Sequence, residues 1–172
     1  MFLNYIKELL IKKILTKKLE SNTIDFSVKT IKSVGLIIDE SRFFQKSKLI
    51  DAVIANGILK DNIRVIVYND KLKSNGVFLY PTFGLKHINW KGEIKENVVK
   101  NFIQEQFDIL ISYYDIEKPA LMLITQQSNS YFKIGFATID KRLNNFIIDT
   151  NAEKHQIFTF EMFKYLKILN KI

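Results

Sequence analysis

Four groups of polar residues in this chain follow strand-like apolar runs, and they are the residues whose types and spacing could do chemistry. Asp39, Glu40 and Ser41 close the run 33–39, and Asn69 and Asp70 follow the run 63–68. Tyr114 and Asp115 end the run that begins at Asp108, and Asp140, Lys141 and Arg142 follow 132–139. If these runs are parallel strands, their carboxyl ends share one edge of a sheet, where open α/β proteins bind ligands. Asp39, Ser41, Asp115, Asp140 and Arg142 are therefore the ligand-binding candidates. Arg142 would hold an anionic moiety, while a carboxylate would bind a cation or act as a general base. The same positions are where helices need caps and turns need Asp, Asn or Ser, so a purely structural role is open to each.

Other chemistries lack their residues. A dinucleotide fold needs glycines in its first strand-to-helix turn, so that phosphate can approach the helix N-terminus. Here that turn is 39–44, Asp-Glu-Ser-Arg-Phe-Phe, with no glycine and two carboxylates that oppose a diphosphate. The chain has no cysteine, hence no disulfide, thiolate nucleophile or thiolate metal site. The only histidines, His87 and His155, are far apart and lack a nearby carboxylate motif, so each reads as an ordinary side chain. Ser112, Ser128 and Ser130 lack the Gly-x-Ser-x-Gly elbow, and the lone Trp90 reads as packing. No catalytic residue, metal or cofactor is expected.

The elements that must position the strand-end residues are legible from periodicity. Nearly continuous apolar runs separated by helix-sized connections indicate strands buried on both faces of a parallel sheet. Leu49, Ile50, Val53 and Ile54 mark a helix over 44–56, ended by Gly57 with Ile58 packing back. Residues 85–90 read as a further strand, and Val98, Val99, Phe102 and Ile103 as a helix face. Residues 118–127 form a short helix. The segment 140–144 is too short for a helical crossover, which predicts an antiparallel edge strand at 145–149. Thr159 is expected to cap a final helix, with Phe158 and Phe163 as a hydrophobic staple. The expectation is one three-layer, Rossmann-like α/β domain, mostly parallel, with a core over 33–172, a connector at 21–32 and an N-terminal helix at 1–20.

A chain of 172 residues with 47% hydrophobic and 26% charged content suits a single folded domain. Its net charge of +8 comes from scattered lysines. Arginine occurs only at 42, 64 and 142, so specific nucleic-acid recognition is not expected. No apolar run is long enough to span a bilayer, no secretory signal is recognisable, and the cytoplasm is the expected compartment. In the N-terminal helix Leu3, Ile6, Leu10 and Ile14 keep helical spacing among Lys7, Lys12, Lys13, Lys17 and Lys18. Those lysines could meet an anionic membrane surface, although a stripe so interrupted suits packing on the domain better.

Several strings look familiar. They include 35–41 (Gly-Leu-Ile-Ile-Asp-Glu-Ser), 108–115 (Asp-Ile-Leu-Ile-Ser-Tyr-Tyr-Asp) with Lys118-Pro119, 132–136 (Phe-Lys-Ile-Gly-Phe), 140–144 and the closing 163–172. Together they resemble a family of short bacterial proteins catalogued as a domain of unknown function, which implies no activity and no site residues. Residues 107–136 alone are similar to a strand-helix-strand unit in the N-terminal half of heptosyltransferase-type glycosyltransferases, which implies a Rossmann-like topology. The functional expectation is a non-catalytic binding or interaction module with a small-molecule or protein partner. A small-molecule enzyme or transferase-like fragment and a peripheral membrane protein are the alternatives.

Overall fold

Apolar, β-branched runs dictate the centre of the sheet, and a computed structural model describing residues 2–18, 30–72 and 76–172 places them there. The strands are β1 (Val34–Asp39), β2 (Ile63–Tyr68), β3 (Thr82–Phe83), β4 (Phe107–Tyr113), β5 (Ser130–Phe136) and β6 (Phe146–Ile148). They form one sheet in the order β3-β2-β1-β4-β5-β6, every neighbouring pair parallel. Val34 pairs with Ile63 on one side and Ile109 on the other, so β1 is central and each of its residues is buried. The order of strands reverses between β1 and β4, which makes their carboxyl ends the switch point of a Rossmann-type sheet.

The helices are α1 (Phe2–Lys18), α2 (Lys46–Ala55), α3 (Asn97–Gln104), α4 (Pro119–Gln127) and α5 (His155–Ile168). α2 packs with α5, and α1 packs with α4. Right-handed crossovers leaving the switch point in opposite directions put α2 and α4 on opposite faces of the sheet. Gly57 takes the left-handed conformation (φ 98°) after α2 and donates to the carbonyl of Ile54, while Ile58 is buried, as the capping motif predicts.

The Phe107 ring lies against β1 because Gly35 has no side chain. A Cβ there would lie 2.6 Å from the Phe107 ring and 2.9 Å from Leu110. Gly35→Ala is expected to destabilise the fold by about 1–3 kcal/mol, as overpacking does in a filled core. Chemical denaturation measures it, and an unchanged midpoint would show that the Phe107 ring yields without strain.

Four expectations need correction. β6 is parallel to β5, with Ile134 opposite Phe146. The return from Phe136 covers only two residues' rise, roughly 7 Å, so the link 137–145 suffices without a helix. The strand expected at 85–90 is instead Thr82–Phe83, followed by a 3-10 turn at Leu85–His87 and an isolated antiparallel bridge between Ile88 and Ile94. Backbone bonds from Val67 to the Pro81 carbonyl and from Asn69 to the Phe83 carbonyl set β3 against β2. α5 starts at His155, so Thr159 lies inside it and its hydroxyl donates back to the His155 carbonyl at 2.9 Å.

The last correction concerns α1. Its buried face is Ile11 and Leu15 with Lys7, whereas Leu10 is exposed and Ile6 and Ile14 are half-buried. The apolar residues lie on several faces of this helix, and packing on α4 chooses one that periodicity does not favour. Lys7 is accommodated because its long stem carries the ammonium to the Leu85 carbonyl, 2.6 Å away. Residues 19–20 of the expected helix and 21–29 of the connector lie outside the described residues. Among the described residues no helix is long and apolar enough to cross a membrane.

Candidate functional site

The loop after β1 is wound tightly onto the strand end. Ser41 N donates to the Asp39 carboxylate (3.0 Å), and Arg42 N and Phe43 N donate to the Asp39 carbonyl (3.3 and 3.0 Å). Phe43 turns inward, with ring centroids 4.8 Å from Tyr113 and 5.9 Å from His155. That inward anchor leaves its neighbours Arg42 and Phe44 facing outward, both exposed.

Across the switch point, the end of β4 anchors the segment before α5. The Tyr113 hydroxyl donates to the Ala152 carbonyl (2.7 Å), and the Asp115 carboxylate accepts the Ala152 amide (2.9 Å). Between the two anchored segments lies a cavity of about 400 Å³ lined by Ser41, Arg42, Phe44, Asp115, Asn151 and Glu153. The side chains of Arg42, Asn151 and Glu153 make no hydrogen bond or ion pair among the described residues. A cation and a carboxylate therefore line one cavity with their hydrogen-bonding capacity unspent.

On the β2 side of the same loop is a second cavity of about 700 Å³, lined by Glu40, Ser41, Phe44, Asp70, Val77 and Phe78 among others. Its acidic and amide groups are paired with one another, while among the described residues the Lys71 ammonium stays open. Glu40 pairs with Lys46 and accepts from the Asn69 amide at 3.4 Å, and the Ser41 hydroxyl accepts from Asp70 N at 3.0 Å. Lys118, just before α4, lies 2.7 Å from Asp39 Oδ2 and 2.6 Å from Asp70 Oδ2, with its ammonium 5.2 Å from the centre of the Tyr68 ring. Burial pushes the Asp70 carboxyl up, but hydrogen bonds from Lys118 and Tyr68 outweigh it and hold the group below the usual carboxylate range. Burial, and then the charge of Asp70, push the Glu8 carboxyl of α1 up as it approaches this cluster.

The structure brings two of the five candidates, Ser41 and Asp115, into one cavity. Asp39 lies beneath, only 2% exposed and ion-paired to Lys118, so it holds loops together rather than facing a ligand. Asp140 and Arg142 close on each other in the turn after β5: Nε donates to Oδ1 at 3.0 Å and Nη2 to Oδ2 at 2.6 Å. That fork holds the Asp140 carboxyl below its ordinary value. The four groups Asp39, Asp115, Asp140 and Arg142 thus do not converge on one pocket.

Of the N-terminal lysines, Lys7 is buried and Lys12 lies 3.6 Å from Glu117, while Lys13 and Lys17 are exposed. The side chain of Lys18 lies outside the described residues. Arg42, Asn151 and Glu153 escape a reading of the sequence. Arg42 directly follows Ser41 and could have been included with it, but 151–153 reaches the site only because β6 runs parallel. Among the described residues no group of three or more histidines and carboxylates could hold a metal ion.

A family model matches residues 7–169, and its description is a family of unknown function. No curated protein and no solved structure matches the chain, so the glycosyltransferase likeness of 107–136 rests on sequence alone.

Proposed function

The chain belongs to that family, DUF6913, which supplies no activity to inherit, and we propose from the geometry that it is a cytoplasmic, non-catalytic binding module for a small polar ligand. The site is the cavity at the switch point, and the ligand carries opposite charges, as a free amino acid does. One observation carries this reading. The Arg42 guanidinium and the Glu153 carboxylate, neither engaged elsewhere among the described residues, line a single cavity of about 400 Å³ together with Asp115. Opposite charges on the walls of a concave site of this size orient a small zwitterion.

Binding fits better than turnover because the nearest buried carboxylate is committed. Asp39 is spent on Lys118 and on the Ser41 amide. Asp115 already accepts the Ala152 amide, which makes it part of the wall. Glu153, the carboxylate left open in the cavity, is in this reading the group that receives the ligand's cation.

Calorimetric titration of the full chain with the free amino acids tests the reading. At least one is expected to bind, and Arg42→Ala is expected to weaken it about tenfold or more, the worth of one charge-assisted hydrogen bond. Arg42 is exposed, so this change leaves the fold intact. Nucleoside diphosphates are expected not to bind, since the glycine-free loop keeps phosphate from the backbone. Affinity that is unchanged in Arg42→Ala, or saturable nucleotide binding at this loop, would overturn the assignment.

A further inference from the structure

Resting on that reading, we propose that the two cavities flanking residues 41–44 are halves of one site, and that the ligand is an amphiphile. Its zwitterionic head lies at the switch point and its apolar tail extends over the β2 side. Ser41 and Phe44 line both cavities, so only this loop separates them. Phe44 stands 78% exposed on the ridge between. Beyond it the larger cavity is walled by Leu72, Val77 and Phe78, and a third cavity of about 190 Å³ shares Val77 and Phe78 and continues to Leu79.

The two sides differ in what they leave unsatisfied. On the switch-point side the open groups are polar, namely Arg42, Asn151 and Glu153. On the β2 side the acidic floor is already paired, Glu40 with Lys46 and Asp70 with Lys118. What remains open there, besides the Lys71 ammonium, is apolar: Val77 is fully exposed, Leu79 is 88% exposed and Phe78 40%. Consecutive apolar side chains held out in water beside a cavity are an unfavourable arrangement that an apolar ligand relieves. A zwitterionic head therefore belongs on the side where a cation and a carboxylate are both open, and the tail with the unpaired hydrocarbon. The Ser41–Phe44 ridge is where one joins the other.

The test compares three probes by calorimetry on the full chain: alanine (head alone), 2-aminodecanoic acid (head and tail) and decanoic acid (tail without the ammonium). We expect 2-aminodecanoic acid to bind roughly 100-fold more tightly than alanine, the gain from burying three or four methylene groups. Val77→Asp, at a fully exposed position, and separately Phe78→Ser are expected to remove that gain and leave alanine binding unchanged. If 2-aminodecanoic acid binds no better than alanine, or if both variants keep the gain, the amphiphile proposal is overturned while the polar site stands. If decanoic acid binds as tightly as 2-aminodecanoic acid, or if neither amino acid binds, the zwitterion reading itself fails.

Discussion

Lys118→Met is expected to destabilise the protein by about 3–5 kcal/mol, because it leaves Asp39 as an uncompensated charge in the interior. Asp39 is 2% exposed, and the ammonium 2.7 Å away is the cation that neutralises it. Asp70, whose side chain is 44% exposed, contributes far less to that loss because water screens its half of the pair. The variant Lys118→Met/Asp39→Asn, which removes both charges, is expected to recover much of the stability. Urea denaturation of the single and double variants decides the matter. A double variant no more stable than Lys118→Met would mean that Lys118 acts through packing on Tyr68 instead. The consequence reaches the site, since Lys118 joins the ends of β1 and β2 to the start of α4, beneath the loop that carries Ser41 and Arg42.

Folding stability is expected to rise between about pH 8 and pH 10, and Lys133 is the reason. This lysine projects from β5 into the core, 6% exposed, and donates to the carbonyls of Thr125 (2.7 Å) and Gln126 (3.2 Å) at the end of α4. Burial lowers its pKa from 10.5 to about 8. Between those values the unfolded chain holds the proton and the folded chain has released it, so stability increases with pH, by up to about 3 kcal/mol. Above about pH 10 the slope reverses. Burial raises the Tyr68, Tyr113 and Tyr114 hydroxyls well above their ordinary value, so the unfolded chain ionises first. Lys133→Met, close in volume and without the charge, is expected to remove most of the rise and leave the decline, a smaller remainder coming from Lys7, whose pKa burial also lowers. Denaturation midpoints at pH 7, 8, 9 and 10 are the measurement, and a rise that survives undiminished in Lys133→Met would assign it to another group.

The sequence by itself determined which segments lie at the centre of the sheet. Runs such as 34–38, 63–68 and 109–113 are almost entirely apolar, interrupted only by Arg64 and Ser112, and only a strand covered on both faces buries successive apolar residues. It also determined the left-handed stop at Gly57 and the absence of a glycine turn after β1, because both follow from backbone sterics within a few residues. Tertiary structure alone decided the rest. The direction of β6 depended on how far the chain had to travel back, which no local pattern encodes. The face of α1 was chosen by α4, among apolar positions spread all round the helix. Of five candidate polar residues, Ser41 and Asp115 reached a cavity, Asp39 met Lys118 and Asp140 met Arg142. Types and spacing put these groups at strand ends. Which of them spend their hydrogen bonds on a neighbour depends on pairings such as the 79-residue separation of Asp39 and Lys118, which arise only when the sheet closes around them.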